Sequence, residues 1–448
     1  MAGDTGPQVN FIRQPGPGDR RRIGPPAGSD EKVTTGDGAV SPYLAASIGG
    51  LADYAQMVFN QEDLNPVWNE LVEAASKTPP DAGAILNMSM MLMLTGQIEP
   101  GLELQDQALS LTRIFRRIHG NGSGLRVMAI VTAGDFMANT PLDFLLGGSD
   151  VTVDYVYATP DGDLPNKLPD HDIAFFAIGE STANFQTLLK ISPALADWPR
   201  PIINGSALKI AGLTRDGVCE LCESIPEILA PPTVMVAREG ASAIAEGHAQ
   251  LSDFLGSSSF PVIIRPVDSH AGRSLEKVTS PAELKTYLEA TAGDQFFITQ
   301  FIDYSGADGL FRKQRIAFLK GRPFISHMAV SDHWMVHYLN ASMDEKPERR
   351  AEEASFMDGF DEDFAVRHAR AFEGLYNAFG LEYFAIDCAE LSDGRLLLFE
   401  ADVAMIIHAL DSPDLYPYKP RAMARLFGGV MAMLEDTART GIPDQAAH

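Results

Sequence analysis

This 448-residue sequence is short of cysteine, of tryptophan and of positive charge. Its three cysteines, Cys219, Cys222 and Cys388, are too few for a disulfide framework. They fit a reducing compartment, and the expected location is cytoplasmic. Cys219 and Cys222 form one CxxC, but no second pair follows to complete a zinc site. On the helix expected over RDGVCELCESIPEIL they read as neighbours on one face. No run of about 18 apolar residues occurs, so no membrane-spanning helix is expected. The first residues lack the apolar stretch of a signal peptide, so none is expected. Lys and Arg number 35 against 60 Asp and Glu, a formal net charge of −25. A general nucleic-acid surface needs clustered cations and is excluded. A local basic pocket for phosphate is not.

What is present is enough apolar material, 45% of residues, for a large core. The length suits about three domains. Residues 1–40 are rich in Gly and Pro around GDRRRIGPP and are expected to be a disordered tail, with Arg20, Arg21 and Arg22 solvated. A second short tail is expected at 441–448. Over 41–120 the apolar spacing is helical, at Leu44 to Phe59 and Leu64 to Ala75, then in two helices broken at TGQ. Small residues (Ala82, Ala84, Gly101, Ala108) recur where that last pair would pack, and Met88, Met90, Met91 and Met93 read as core. The pair resembles one tetratricopeptide unit of about 34 residues. One such unit needs a surface to cover it: the rest of this chain, a second protomer, or a protein or peptide partner.

Over 121–230 the period changes. LRVMAIVTAG, VTVDYVYATP, DIAFFAIGES and PIING alternate with helical patterns, which predicts an α/β domain with a parallel sheet. Over 231–440 the pattern is α+β: VIIRPV and QFFITQFI flank a helix at Pro281 to Ala290, and two hairpins turn at Lys320-Gly321 and Asp393-Gly394. A helix from Asp363 to Gly380 precedes the second hairpin. The charged stretch Asn340 to Asp361 shows no period and is expected to be a mobile loop.

Three groups in this half carry chemistry. Arg265 ends an apolar strand beside a polar loop with Ser269, His270 and Gly272, an arrangement suited to polyphosphate. A structural ion pair is the other reading for that cation. In FRKQRIAF, alternation places Lys313 and Arg315 on one face, where two cations need an anion. In the second hairpin, Asp387 falls opposite Glu400 and Asp402 among apolar neighbours. Three converging carboxylates call for a hard cation, and Mg²⁺ suits oxygen ligands. HMAVSDHWMVHYLNAS adds His333 and His337, four apart, as substrate-side candidates if the segment is helical.

The order of these groups from Pro231 to Glu435 resembles the ATP-grasp fold, and within it the RimK-like carboxylate–amine ligases. The resemblance implies that Arg265, Pro266 and the loop through Gly272 stand where that family has a Lys-Pro and a Gly-rich phosphate loop. It implies that Gln300, Phe301 and Ile302 hold adenine and ribose, that Arg315 faces phosphate, and that Asp387, Glu400 and Asp402 bind magnesium. PIINGSALKIAGLTRDGV would supply Lys209 or Arg215 as a first nucleotide cation, and the parallel-sheet segment corresponds to the preceding domain of that fold. Arginine replaces the usual lysine at 265, glycines are missing from the loop, and aspartate replaces asparagine at 402. The expected activity is an ATP- and Mg²⁺-dependent ligase joining a carboxylate to an amine through an acyl phosphate, with small-molecule or peptide substrates. The alternative is a nucleotide-binding module without turnover whose helical region binds a protein; a homo-oligomer fits either. A third reading is a helical interaction protein whose C-terminal half only keeps the fold.

Overall fold

The computed structural model describes residues 45–256, 259–267, 269 and 272–440. The two expected tails and His270 lie outside these described residues.

Short β-branched segments build a six-stranded sheet in the order β1-β2-β4-β3-β5-β6. The strands are β1 Ala46–Ser47, β2 Ile114–Ile118, β3 Arg126–Val131, β4 Thr152–Tyr157, β5 Ile173–Phe176 and β6 Ile202–Ile203. β3 pairs in parallel with β4 and β5, and β5 with β6. β2 runs antiparallel to β4, with β1 parallel to it at the edge. The central strands β3 and β5 are almost wholly buried, as a parallel sheet covered on both faces requires.

The four helices Leu51–Phe59, Asn65–Ala75, Ala82–Leu94 and Ile98–Leu111 lie between β1 and β2. The helical region is thus an insertion between adjacent strands, and residue 120 does not divide two domains. A two-residue strand and the charged IFRRI carry too little period to reveal this. Ala82–Leu94 is apolar all round and is correspondingly buried. Asp81 caps it, its carboxylate accepting from the backbone N–H groups of Gly83 and Ala84 at 2.9 and 3.1 Å. It ends at Gly96, which takes the left-handed φ of +82°. Gly101 lets the next helix approach: a Cβ there would sit 2.5 Å from Met93 Cγ. Met88, Met91 and Met93 are buried, as expected.

The second half is α+β. Strands β8 Thr233–Ala237, β9 Val262–Pro266, β10 Glu276–Val278 and β11 Gln295–Gln300 form an antiparallel sheet in the order β10-β9-β11-β8. Strands β12 Phe311–Leu319, β13 Arg322–Ser331, β14 Tyr383–Glu390 and β15 Leu396–Asp402 form a second sheet, ordered β13-β12-β14-β15-β7. Its last member, β7 Ile228–Leu229, pairs in parallel with β15, so the boundary expected at 230 runs through this sheet. The first hairpin turns at Lys320 and Gly321, φ +47° and +80°, the positive pair that a two-residue turn needs. Buried Asn204 fastens the parallel sheet to this one: its Nδ2 donates to Tyr383 O at 2.7 Å and its Oδ1 accepts from Tyr383 N at 2.9 Å.

Two expectations change. The stretch predicted as a mobile loop holds the helix Pro347–Gly359. Its buried stripe is Arg349, Glu353 and Met357, so the inward face is mostly polar and no apolar period shows. Glu353, fully buried, accepts from Met328 N at 3.1 Å, Tyr338 OH at 2.8 Å and Tyr418 OH at 2.6 Å. The helix expected over 363–380 is split at His368 into Phe364–Arg367 and Ala369–Phe379. Among the described residues no helix is long and apolar enough to cross a membrane.

Candidate active site

The two antiparallel sheets enclose a cavity of about 290 Å³. Among the described residues five cations line it, Arg215, Arg265, Lys313, Arg315 and Lys419, against three carboxylates, Asp387, Glu400 and Asp411. In a chain of net charge −25 this is a concentrated positive site.

Arg265 stands on β9, where alternation sends Val262 and Ile264 into the small core of that sheet and Ile263 and Arg265 to the cavity. It is 7% exposed. Its Nε donates to Ser269 Oγ at 3.0 Å, and Ser269 in turn donates to Pro266 O at 2.8 Å. Its Nη2 is buried with no hydrogen-bond partner among the described residues. Burial, and next the charge of Arg215, depress the guanidinium to about 9. A guanidinium keeps its proton at neutral pH, so Arg265 is a buried cation with no ion pair among the described residues.

Asp387 is the reverse case. Arg315 grips it with two bonds, Nε to Oδ1 at 2.8 Å and Nη2 to Oδ2 at 2.9 Å, and Lys313 Nζ donates to Oδ2 at 2.8 Å. Register explains the pairing, because Arg315 on β12 lies directly opposite Asp387 on β14. Burial works to raise the Asp387 carboxyl; Arg315 and Lys313 outweigh it and hold it well below the usual carboxylate range. Arg315 spends its remaining Nη1 on Ile406 O at 3.0 Å.

Glu400 lies opposite Asp387 on β15 and accepts from Arg215 Nη2 at 3.0 Å. Asp402, two residues on, accepts from Ala404 N at 3.0 Å. Burial pushes its carboxyl up to about 7, with the Glu400 charge adding to the rise. The three acids share a face, as alternation predicts, but they do not make a three-ligand nest. Among the described residues no group of three His, Cys, Asp or Glu is placed to hold a metal ion. The expected triad needs correction at Asp387, whose oxygens are committed to Arg315 and Lys313. Glu400 Oε2 carries no hydrogen bond among the described residues, while Asp402 accepts from the backbone N–H groups of Ala404 and Val403; a two-carboxylate set with phosphate oxygens fits Mg²⁺.

The other candidates divide. Gly272, Gln300, Phe301 and Ile302 line the cavity. The Gln300 side chain is a clamp: Oε1 accepts from Ser259 N at 3.1 Å and Nε2 donates to Pro261 O at 3.0 Å. Phe301 meets Trp334 edge-on at 5.8 Å, with Lys277 Nζ 4.1 Å from its centroid. Lys209 is elsewhere; its ammonium donates to Gly380 O at 2.8 Å. His337 lines the cavity, whereas His333 is exposed and its Nδ1 accepts from Met335 N at 3.1 Å. The segment between them is not helical, so the two rings do not share a face. The CxxC does sit on a helix, Arg215–Cys222, and burial raises both thiols.

His327, Tyr338, Asp411 and Lys419 also line the cavity, and no pattern in the sequence marks them. Lys419 Nζ donates to Asp411 Oδ2 at 2.8 Å and sits 3.9 Å from the Tyr338 ring centroid. Nothing in YPYKPRAM marks this lysine as buried; only the contact across to Tyr338 does.

No protein-family profile matches the sequence, and no curated protein does. Solved structures do resemble the fold. A D-alanine–D-alanine ligase from Bacillus anthracis complexed with ATP is 13% identical, with 71% of this chain and 98% of that one covered and a TM-score of 0.43. The D-Ala:D-Ser ligase VanG from Enterococcus faecalis is 11% identical over 70% of this chain and 100% of that one, at 0.42. A RimK-domain ATP-grasp protein from Sphaerobacter thermophilus is 14% identical over 69% and 99%, at 0.39.

Proposed function

We propose that this chain is an ATP-dependent carboxylate–amine ligase of the ATP-grasp kind. One observation carries the reading: the Nη2 of buried Arg265, without a partner among the described residues, lines a cavity where Arg215, Lys313 and Arg315 converge. A polyphosphate supplies the anion that this cation lacks. The sequence order of a phosphate loop, an inter-sheet strand, a basic strand and an acidic hairpin supports the same assignment.

In that reaction a substrate carboxylate oxygen attacks the γ-phosphorus of ATP. The bond from phosphorus to the bridging oxygen breaks, ADP departs, and an acyl phosphate remains. The amine nitrogen then attacks the acyl carbon, the bond to the phosphate oxygen breaks, and the amine proton leaves to solvent. Arg265 and Arg315 stabilise the charge spreading over the transferring phosphoryl oxygens. Glu400 and Asp402 would hold Mg²⁺, which when bound neutralises phosphate charge. Asp387 would position Arg315 and Lys313.

Thermal-shift titration with Mg-ATP tests the nucleotide step, since a ligand that binds only the folded state raises the melting temperature. The wild type is expected to shift, less in EDTA, and Arg265→Gln far less in either condition. No shift at millimolar nucleotide would overturn the assignment. ADP release with pooled carboxylates and amines tests the ligase step. The locking of Asp387 favours one second reading, nucleotide binding without transfer, and a shift with no ADP release from any pool selects it.

A further inference from the structure

The helical insertion reaches the cavity. Phe59, the last residue of its first helix, lines the same space as Arg265 and Arg315. So does Met137, on the loop that leaves the C-terminal end of β3. Met405, Ile406 and Leu410, just after β15, complete this end. Ile406 and Leu410 belong to the core cluster that includes Tyr54, Trp68, Met88 and Met91 of the insertion. Ile406 joins the two ends of the cavity, because its carbonyl takes the Arg315 Nη1 bond. The nearby charges are paired with each other, Lys419 Nζ to Asp411 Oδ2 at 2.8 Å. This end therefore presents mostly apolar surface, with the His408 imidazole set among it, beside the cluster of cations.

It is also held rigidly. Gln105 of the insertion, 6% exposed, clamps the Met137 loop: Nε2 donates to Gly134 O at 3.0 Å, and Gly134 N donates to Oε1 at 2.8 Å. Asn139 does the same to Thr132 N and O, each at 2.8 Å. Thr140 Oγ1 donates to Val403 O at 2.8 Å, tying the loop to the segment after β15. Gly179 permits that approach, since a Cβ there would lie 2.7 Å from the Cβ of Ala404. Phe59 and Met137 are only half-buried. Such rigid, partly exposed apolar groups are what a ligand pocket uses to select a side chain.

We infer that the helical insertion completes the acceptor end of the site. Phe59, Met137, Met405, Ile406 and Leu410 seat an uncharged, apolar group of the substrate, and Gln105 is a positioning residue for Met137. This rests on the ligase reading for the word acceptor, but not for the pocket itself.

The test is a thermal-shift series with glycine, serine, aspartate, leucine and phenylalanine, in both enantiomers, each with and without Mg-AMP-PNP. Leucine or phenylalanine is expected to bind at least about tenfold more tightly than glycine, serine or aspartate. Phe59→Ala and Met137→Ala are expected to erase that preference while leaving the nucleotide shift intact. Gln105→Ala is expected to weaken the apolar probe with the nucleotide shift likewise unchanged, a split that general destabilisation would not produce. If Phe59→Ala does not fold, Met137→Ser on the clamped loop reads the same wall. Equal binding of polar and apolar probes, binding of none, or a preference that survives both truncations would overturn the inference. A missing nucleotide shift would remove the ligase reading alone, because the series without nucleotide still reports on the apolar end.

Discussion

Arg265 and Asp387 are both buried charges on strands that face one cavity, and they differ in what surrounds them. Asp387 receives three short bonds from Arg315 and Lys313. Among the described residues Arg265 meets no carboxylate: its Nε donates to the Ser269 hydroxyl and its Nη2 has no partner. A saturated buried charge is part of the fold, since removing one partner strands the others. An unsaturated one costs stability and persists where a ligand completes it. The difference separates a residue that shapes the site from one that awaits an occupant, although both were candidates for direct contact on sequence grounds.

The comparison breaks most easily at Asp387. Asp387→Ala leaves two buried cations uncompensated and is expected to cost roughly 3–5 kcal/mol in urea denaturation. If it costs under about 1 kcal/mol, Asp387 is not the hub described and is free to be a ligand. Arg265→Gln is expected to act the other way. It removes a counter-ion-free cation, so stability should hold or rise, while ATP affinity falls roughly 10–100-fold with a lost charge-assisted bond. Calorimetric titration checks both, and a stability loss without an affinity loss would make Arg265 a structural cation after all.

A third effect sharpens the view of the field that Asp387 leaves uncancelled. Burial, and after it the charges of Lys313 and Arg315, hold the His337 imidazole down at about 4. The folded value lies below the ordinary 6.5, so His337 stays neutral in the fold while the unfolded chain takes up a proton. Its contribution is complete above pH 6.5 and is lost as pH falls towards 4. Asp402 acts oppositely, its raised value favouring the fold at the acid end of that window and losing this as pH rises through 7. The difference between wild type and His337→Gln isolates the histidine: by pH 4 the variant should have lost about 3 kcal/mol less. Parallel stability curves for the two proteins would mean that the ring is protonated in the fold.

Much of this was legible where period and turn chemistry agree. The two hairpins, their turns at Lys320-Gly321 and Asp393-Gly394, and the shared face of Glu400 and Asp402 follow from alternation alone. What alternation cannot supply is the partner. That Arg315 and Lys313 close on Asp387 depends on the β12–β14 register, between strands separated by more than 60 residues. The helix Pro347–Gly359 hid because its buried face carries Arg349 and Glu353, satisfied by the nearby carbonyl of Ala341 and by Met328 on β13. The insertion hid because β1 is two residues long. In each case the missing information is a long-range contact that makes a polar or short segment tolerable inside.

Lys209 and Arg215 allow the smallest and cleanest contrast, since PIINGSALKIAGLTRDGV offered both as a nucleotide cation. Arg215 lines the cavity and donates to Glu400. Lys209 instead meets the end of the helix Ala369–Phe379, donating to the carbonyl of Gly380, whose φ of +56° marks the left-handed stop. A cation at a helix C-terminus stabilises the last carbonyls by roughly 0.3–1 kcal/mol at low salt. Lys209→Met should therefore lower stability by about 0.5 kcal/mol, with the loss shrinking as salt is added, and leave the Mg-ATP thermal shift unchanged. Arg215→Met should leave that helix end untouched, reduce the ATP shift, and free Glu400 from its only described cation. A Lys209 variant that loses nucleotide binding would place the first phosphate cation on the other helix and move the site away from β9.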